Sequence, residues 1–130
     1  MPQALGTFEV KTIAQPSEPQ SGGDAIGRLF LDKRFQGALQ ASSIGTMLGV
    51  RTPVQGSAGY VAMELVTGSL DGRSGSFVLQ HHGVMTRGAL EQTVIIIPDS
   101  GTGDLGGIAG DMTISILEGV HHYRLEYTLP

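Results

Sequence analysis

Hydrophobic and polar residues alternate with period two along almost the whole chain, and nearly every alternating run stops at a glycine-containing turn. The pattern predicts strands at Leu5–Ile13, Gly27–Phe35, Ala38–Val50, Ser57–Leu70, Arg73–Met85, Glu91–Ile97, Asp111–Leu117 and Val120–Thr128. Gln36-Gly37, the Pro53-containing stretch Arg51–Gly56, Asp71-Gly72 and Glu118-Gly119 read as the joints between them. Asp-Gly is the strongest of these signals, because a type I′ hairpin turn needs positive φ at both central positions. No stretch carries helical periodicity beyond a single turn at Arg87–Glu91. Gln15–Asp24, with Pro16, Pro19 and a glycine pair, is the one long polar connection. It reads either as a solvated loop or as a flexible rim over a pocket. Strands in simple up-and-down order tend to close, since closure removes both exposed edges. The expectation is an all-β fold: a closed eight-stranded antiparallel up-and-down barrel, one domain over residues 1–130.

Hairpin register turns this pattern into faces. With Asp71-Gly72 as a two-residue turn, Leu70 faces Arg73, Val66 faces Phe77, Glu64 faces Leu79, Ala62 faces His81 and Tyr60 faces Gly83. Tyr60, Ala62, Glu64, Val66, Phe77, Leu79, His81 and Met85 then share one face. Val61, Met63, Leu65, Val78, Gln80, His82 and Val84 share the other. A one-residue slip would exchange the two sets. Both faces are largely apolar, so one lines the interior and the other needs covering, by a second subunit for example. In the last hairpin Ile116 faces His121, Ile114 faces Tyr123 and Met112 faces Leu125, an amphipathic-aromatic face that reads as interior.

Composition sharpens the picture. The 20 glycines among 130 residues suit turns and bulges and disfavour a helical bundle. The absence of Cys excludes disulfides, a thiol nucleophile and cysteine-based metal centres. Only 15% of residues are charged, against a norm of about 25%, so much strand surface must be covered or line a cavity. Net charge is −4 and the eight basic residues are scattered, which argues against nucleic-acid binding. The start MPQALGTFEV is not a secretory signal and the longest aliphatic run, Val94–Ile97, cannot span a bilayer. A soluble cytoplasmic protein with no membrane partner is expected.

Glu64 stands out as a carboxylate in mid-strand among apolar neighbours. Burial of such a group is costly unless it is paired, and burial raises its pKa. His81 is its diagonal cross-strand neighbour. The pair is either a general acid–base couple or a structural hydrogen-bonded pair. Tyr60 and Tyr123 could donate phenolic hydroxyls to a ligand oxygen, or serve as ordinary core. With Phe77 and Leu79 they form the expected ligand-binding set. His81-His82 and His121-His122 invite a two-His-one-carboxylate metal reading with Glu64, but adjacent strand residues point to opposite faces and His121 sits at a strand end. No metal and no cofactor are expected. Gly101–Gly106 matches G-x-G-x-x-G after a strand, but a β-branched strand follows where dinucleotide binding needs a helix. The segment reads as a glycine-rich turn or bulged strand.

The segments GYVAMELVTGSLDGRSGSFVLQHHG (Gly59–Gly83) and GTGDLGGIAGDMTISI (Gly101–Ile116) resemble a bacterial family of unknown function, domain-of-unknown-function family 3224. GTFEVK (Gly6–Lys11) and HHYRLEYTL (His121–Leu129) resemble it too, so the likeness spans the chain. The resemblance implies a barrel like that of allene oxide cyclase, and positions like Glu64 and His81 belong to the family pattern. Cyclase-like barrels hold an apolar substrate and steer it with few polar groups and no cofactor.

The expected function is binding of one small, mainly apolar molecule inside the barrel, with a cofactor-free isomerase or cyclase as the sharper form and a homo-oligomer, dimer favoured, as the assembly. There Glu64 and His81 would move protons while Tyr60 and Tyr123 orient an oxygen. The contrasting expectation is a filled barrel serving as a structural or protein-interaction module. A cavity of about 300 Å³ or more beside Glu64 and His81 separates the two.

Overall fold

The structure is a computed structural model, and it describes residues 2–16 and 25–130. Most of the Gln15–Asp24 connection lies outside the described residues. Eight antiparallel strands close in sequence order into one barrel: β1 Gln3–Gln15, β2 Gly27–Gly37, β3 Leu39–Arg51, β4 Ala58–Leu70, β5 Arg73–Thr86, β6 Ala89–Ile96, β7 Ala109–Leu117 and β8 Val120–Thr128. Both registers derived from the turns are present, with Tyr60 opposite Gly83, Glu64 opposite Leu79 and Ile116 opposite His121. Asp71-Gly72 and Glu118-Gly119 have positive φ at both residues, as two-residue hairpin turns require. The helical turn expected at Arg87–Glu91 is absent, and a third such hairpin stands in its place: Arg87 and Gly88 have positive φ and Thr86 pairs with Ala89.

The two ends of the barrel differ. Phe8, Phe35, Leu39, Val66, Leu70, Phe77, Leu79, Leu125 and Tyr127 fill the end that carries the β4–β5 hairpin. The glycine-rich segment between β6 and β7 caps this end with a single 3-10 turn, Gly103–Leu105, and drives Leu105 and Ile108 into the core. Gly75 admits it, since a Cβ there would lie 2.0 Å from the Thr102 carbonyl oxygen. Among the described residues the opposite end, ringed by the β3–β4, β5–β6 and β7–β8 turns, is open. Closure is thinnest between β6 and β7, where only Val94–Met112 and Ile95–Asp111 pair. Among the described residues no helix is long and apolar enough to cross a membrane.

Candidate functional site

At mid-height a polar array crosses the inner face of five consecutive strands. Lys33 on β2 pairs directly with Ser43 on β3. Glu64 on β4, His81 on β5 and Gln92 on β6 then follow as diagonal neighbours, each step following the stagger of the strands. Lys33 Nζ stands 3.0 Å from both carboxylate oxygens of Glu64, and Ser43 Oγ donates to Oε1 at 3.1 Å. His81 Nδ1 approaches Oε2 at 3.6 Å, an electrostatic contact rather than a full hydrogen bond. On its other side, His81 Nε2 lies 2.5 Å from Tyr60 Oη and 3.1 Å from Gln92 Nε2. The Gln92 amide also reaches Tyr60 Oη at 3.3 Å.

The three side chains are deeply held: Glu64 is 1% exposed, Lys33 5% and His81 8%. Burial pushes the Glu64 carboxyl up, but His81 and the Lys33 ammonium together outweigh it and hold the group below its ordinary value. Glu64 is therefore ionised and can only accept, an arrangement matched by the His81 tautomer with its proton on Nδ1, in which Nε2 accepts from Tyr60. Burial, reinforced by the charge of Glu64, raises the Tyr60 phenol above its ordinary value despite the Gln92 hydrogen bond. Tyr60 is thus a neutral donor. Two glycines make room for this geometry. A Cβ at Gly83 would lie 2.5 Å from the Tyr60 ring, and one at Gly45 would lie 2.9 Å from Glu64 Cγ.

Tyr60, His81, Gln92 and Lys33, together with Thr12 and His121, form the polar part of the wall of an inner cavity of about 460 Å³. The rest is apolar, including Phe8, Leu31, Met47, Leu90 and Ile114. A mouth of about 500 Å³ adjoins it, sharing Met47, Tyr60 and Leu90. Gln92 and Leu90 on β6 and Ile114 and Ile116 on β7 flank the part of the seam where those strands no longer pair.

Among the residues singled out from sequence, Glu64, His81 and Tyr60 come together. Glu64 does not reach the inner cavity and lies behind His81, which stands between them. Phe77, Leu79 and Tyr123 are not on the cavity wall. Phe77 and Leu79 are packed in the closed end, each 1% exposed. The Tyr123 hydroxyl is spent on the backbone, accepting from Leu39 N–H at 2.9 Å and donating to the Gln36 carbonyl at 2.9 Å, so it stitches β8 to the β2–β3 joint. His121 packs on the Phe8 ring, and among the described residues no His, Cys, Asp and Glu side chains cluster as a cation site. Lys33, Ser43 and Gln92 were missed by sequence reasoning. Strand parity was the available signal, since Lys33 alternates with Leu31 and Phe35, and Gln92 with Val94 and Ile96.

The family model described as "Protein of unknown function (DUF3224)" matches residues 4–127. A solved structure of a protein of unknown function from the DUF3224 family, from Shewanella oneidensis MR-1, is similar to the chain with a TM-score of 0.93 and 45% sequence identity. The match covers 100% of this chain and 98% of that one. No curated protein matches the chain.

Proposed function

The chain belongs to the DUF3224 family, whose function is unknown, and from that premise we propose that the open half of its barrel binds one small, mainly apolar molecule bearing an oxygen and moves a proton on it without a cofactor. The reading is carried by one observation. An oriented base, His81 Nε2, and two hydrogen-bond donors, Tyr60 Oη and the Gln92 amide, converge within 3.3 Å of one another on the wall of a mainly apolar cavity. Its volume suits a drug-sized molecule. A carbonyl oxygen entering the cavity displaces Tyr60 and Gln92 from His81 and takes their hydrogen bonds. His81 Nε2 accepts a proton from the carbon beside the carbonyl, and the negative charge that develops on the ligand oxygen is held by the same two donors. The imidazolium formed faces the Glu64 carboxylate, which Lys33 and Ser43 keep ionised and fixed. Return of the proton to a different carbon completes an isomerisation with atoms and charge in balance. In this scheme His81, Tyr60 and Gln92 are the catalytic residues, while Glu64 and Lys33 are positioning residues.

The test uses β-tetralone, a bicyclic ketone, beside tetralin, its hydrocarbon counterpart. Calorimetry should detect both binding to the wild-type protein. Tyr60→Phe should weaken the ketone about tenfold, the equivalent of about 1.4 kcal/mol, and leave tetralin unchanged. In D₂O the protein should speed deuterium uptake beside the carbonyl, and His81→Gln should abolish the effect. Binding without exchange would leave a carrier rather than an isomerase. Binding of neither compound would overturn the proposal and favour a structural module, for which the packed closed end is the supporting feature.

A further inference from the structure

The outer face of β3, β4 and β5 bears no Asp, Glu, Lys or Arg at any outward position between Gln40 and Thr86. Its centre is mainly apolar, with Thr46, Gln80 and His82 interspersed. Ile44, Leu48, Val61, Met63, Leu65 and Val84 lie on adjacent cross-strand rows and are 43–56% exposed. Charged residues begin only at its borders, with Asp32 opposite Ile44 on one side and Glu91 opposite Val84 on the other. An apolar centre with a polar rim is the anatomy of a protein–protein interface.

We propose that this face is the contact surface between two copies of the chain. Area is the first reason. Those six half-exposed side chains offer on the order of 500 Å² of apolar surface, at the upper end of what a monomer leaves bare. That is also the larger part of the about 800 Å² each subunit contributes to a standard interface. Charge is the second. Each copy carries a formal net charge of −4, so two copies repel little across a face that holds no Asp, Glu, Lys or Arg and whose one titratable group is His82. Shape is the third. A groove of about 390 Å³ runs over Gly45 between Phe30 and Val78, with Met63 and Leu65 along it. A two-fold arrangement lets Met63 of each copy enter the groove of the other, the self-complementary contact that such symmetry requires. Face-to-face packing of the two sheets would bury the rows that a lone barrel leaves in water.

Sedimentation equilibrium on the full chain should return twice the 13.6 kDa of one protomer. Met63→Glu should return a single protomer, and because residue 63 points outward its circular dichroism should stay that of the wild type. With no native cysteine to interfere, Met63→Cys should oxidise to a covalent dimer. Leu65→Thr, a milder change, should weaken association if Met63→Glu lowers expression. A wild-type protein that stays monomeric at high concentration would overturn the proposal. So would a dimer indifferent to Met63→Glu and Leu65→Thr, or a monomer that instead co-floats with phosphatidylcholine vesicles.

Discussion

Replacing Lys33 by Met keeps most of the aliphatic stem and removes the charge, leaving Glu64 buried with only Ser43 and His81 as partners. Breaking a buried ion pair from one side costs about 3–5 kcal/mol, because the orphaned charge keeps its desolvation penalty. The upper part of that range applies here, since Nζ touches both carboxylate oxygens at 3.0 Å and also sits 4.8 Å over the Phe8 ring. The pH dependence follows from the direction of the Glu64 shift. In the wild type the folded-state pKa lies below the ordinary value of 4.5, so the ionised carboxylate contributes stability above that pH. This contribution is lost as pH falls through the folded-state pKa. In Lys33→Met the burial that pushes the carboxyl up is opposed by His81 without the ammonium, so the group protonates more readily and acid relieves the strain. The gap between wild type and variant is therefore widest near about pH 8 and narrows toward about pH 5 and below. Urea unfolding at the two pH values measures it. Lys33→Met combined with Glu64→Leu should recover most of the loss, because no unpaired charge remains. An equal cost at both pH values, or a double variant no better than the single one, would refute the reasoning.

Gly83→Ala should cost about 1–3 kcal/mol and disturb ligand binding, since its Cβ would fall 2.5 Å from the Tyr60 ring. Gly49→Ala, on the same inner face, should leave thermal stability unchanged or raised, because its Cβ would have 3.6 Å of clearance, while narrowing the mouth of the cavity; melting curves and calorimetry beside the wild type check both. Tyr123→Phe should cost about 1–3 kcal/mol in urea unfolding by stranding the buried Leu39 N–H, with affinity for an apolar ligand unchanged. Gly72→Ala should lower stability by roughly 1 kcal/mol through its φ of 83° alone, since nothing lies within 4 Å of the added carbon.

The barrel was legible because its strands are joined by short turns with their own chemistry. Asp71-Gly72 and Glu118-Gly119 each fix a register, and those registers set which face of β4, β5, β7 and β8 is interior. Glu64 and His81 could be paired from sequence because they lie within one hairpin. Lys33 and Ser43 belong to another hairpin, whose joint runs through Gly37 and the additional residue Ala38, so turn counting gave no register to bring them to Glu64. Gln92 was out of reach for a similar reason, since the Arg87-Gly88 turn lacks the Asn-Gly or Asp-Gly signature although it adopts the same positive φ values. Tyr123 lies away from the cavity wall: parity places its ring on the inner face but says nothing of height. Its hydroxyl is at the level of the closed end, beside Gly6 and Gly37, whose missing side chains let it reach the backbone. Phe77 and Leu79 lie away from that wall in the same way. A sequence pattern gives a side chain's direction, and the fill of the barrel at each level depends on all eight strands at once.

The four methionines among the described residues report on separate regions of the molecule. Met47 lines the inner cavity, Met85 the mouth, Met63 the outer face, and Met112 lies in the core. Titration of β-tetralone into protein labelled with ¹³C at the methionine methyls is thus the most direct test of a ligand site in the open half of the barrel. Saturable shifts at Met47 and Met85, with Met112 and Met63 still, are the result expected. No shift at Met47, or shifts confined to Met63, would contradict it.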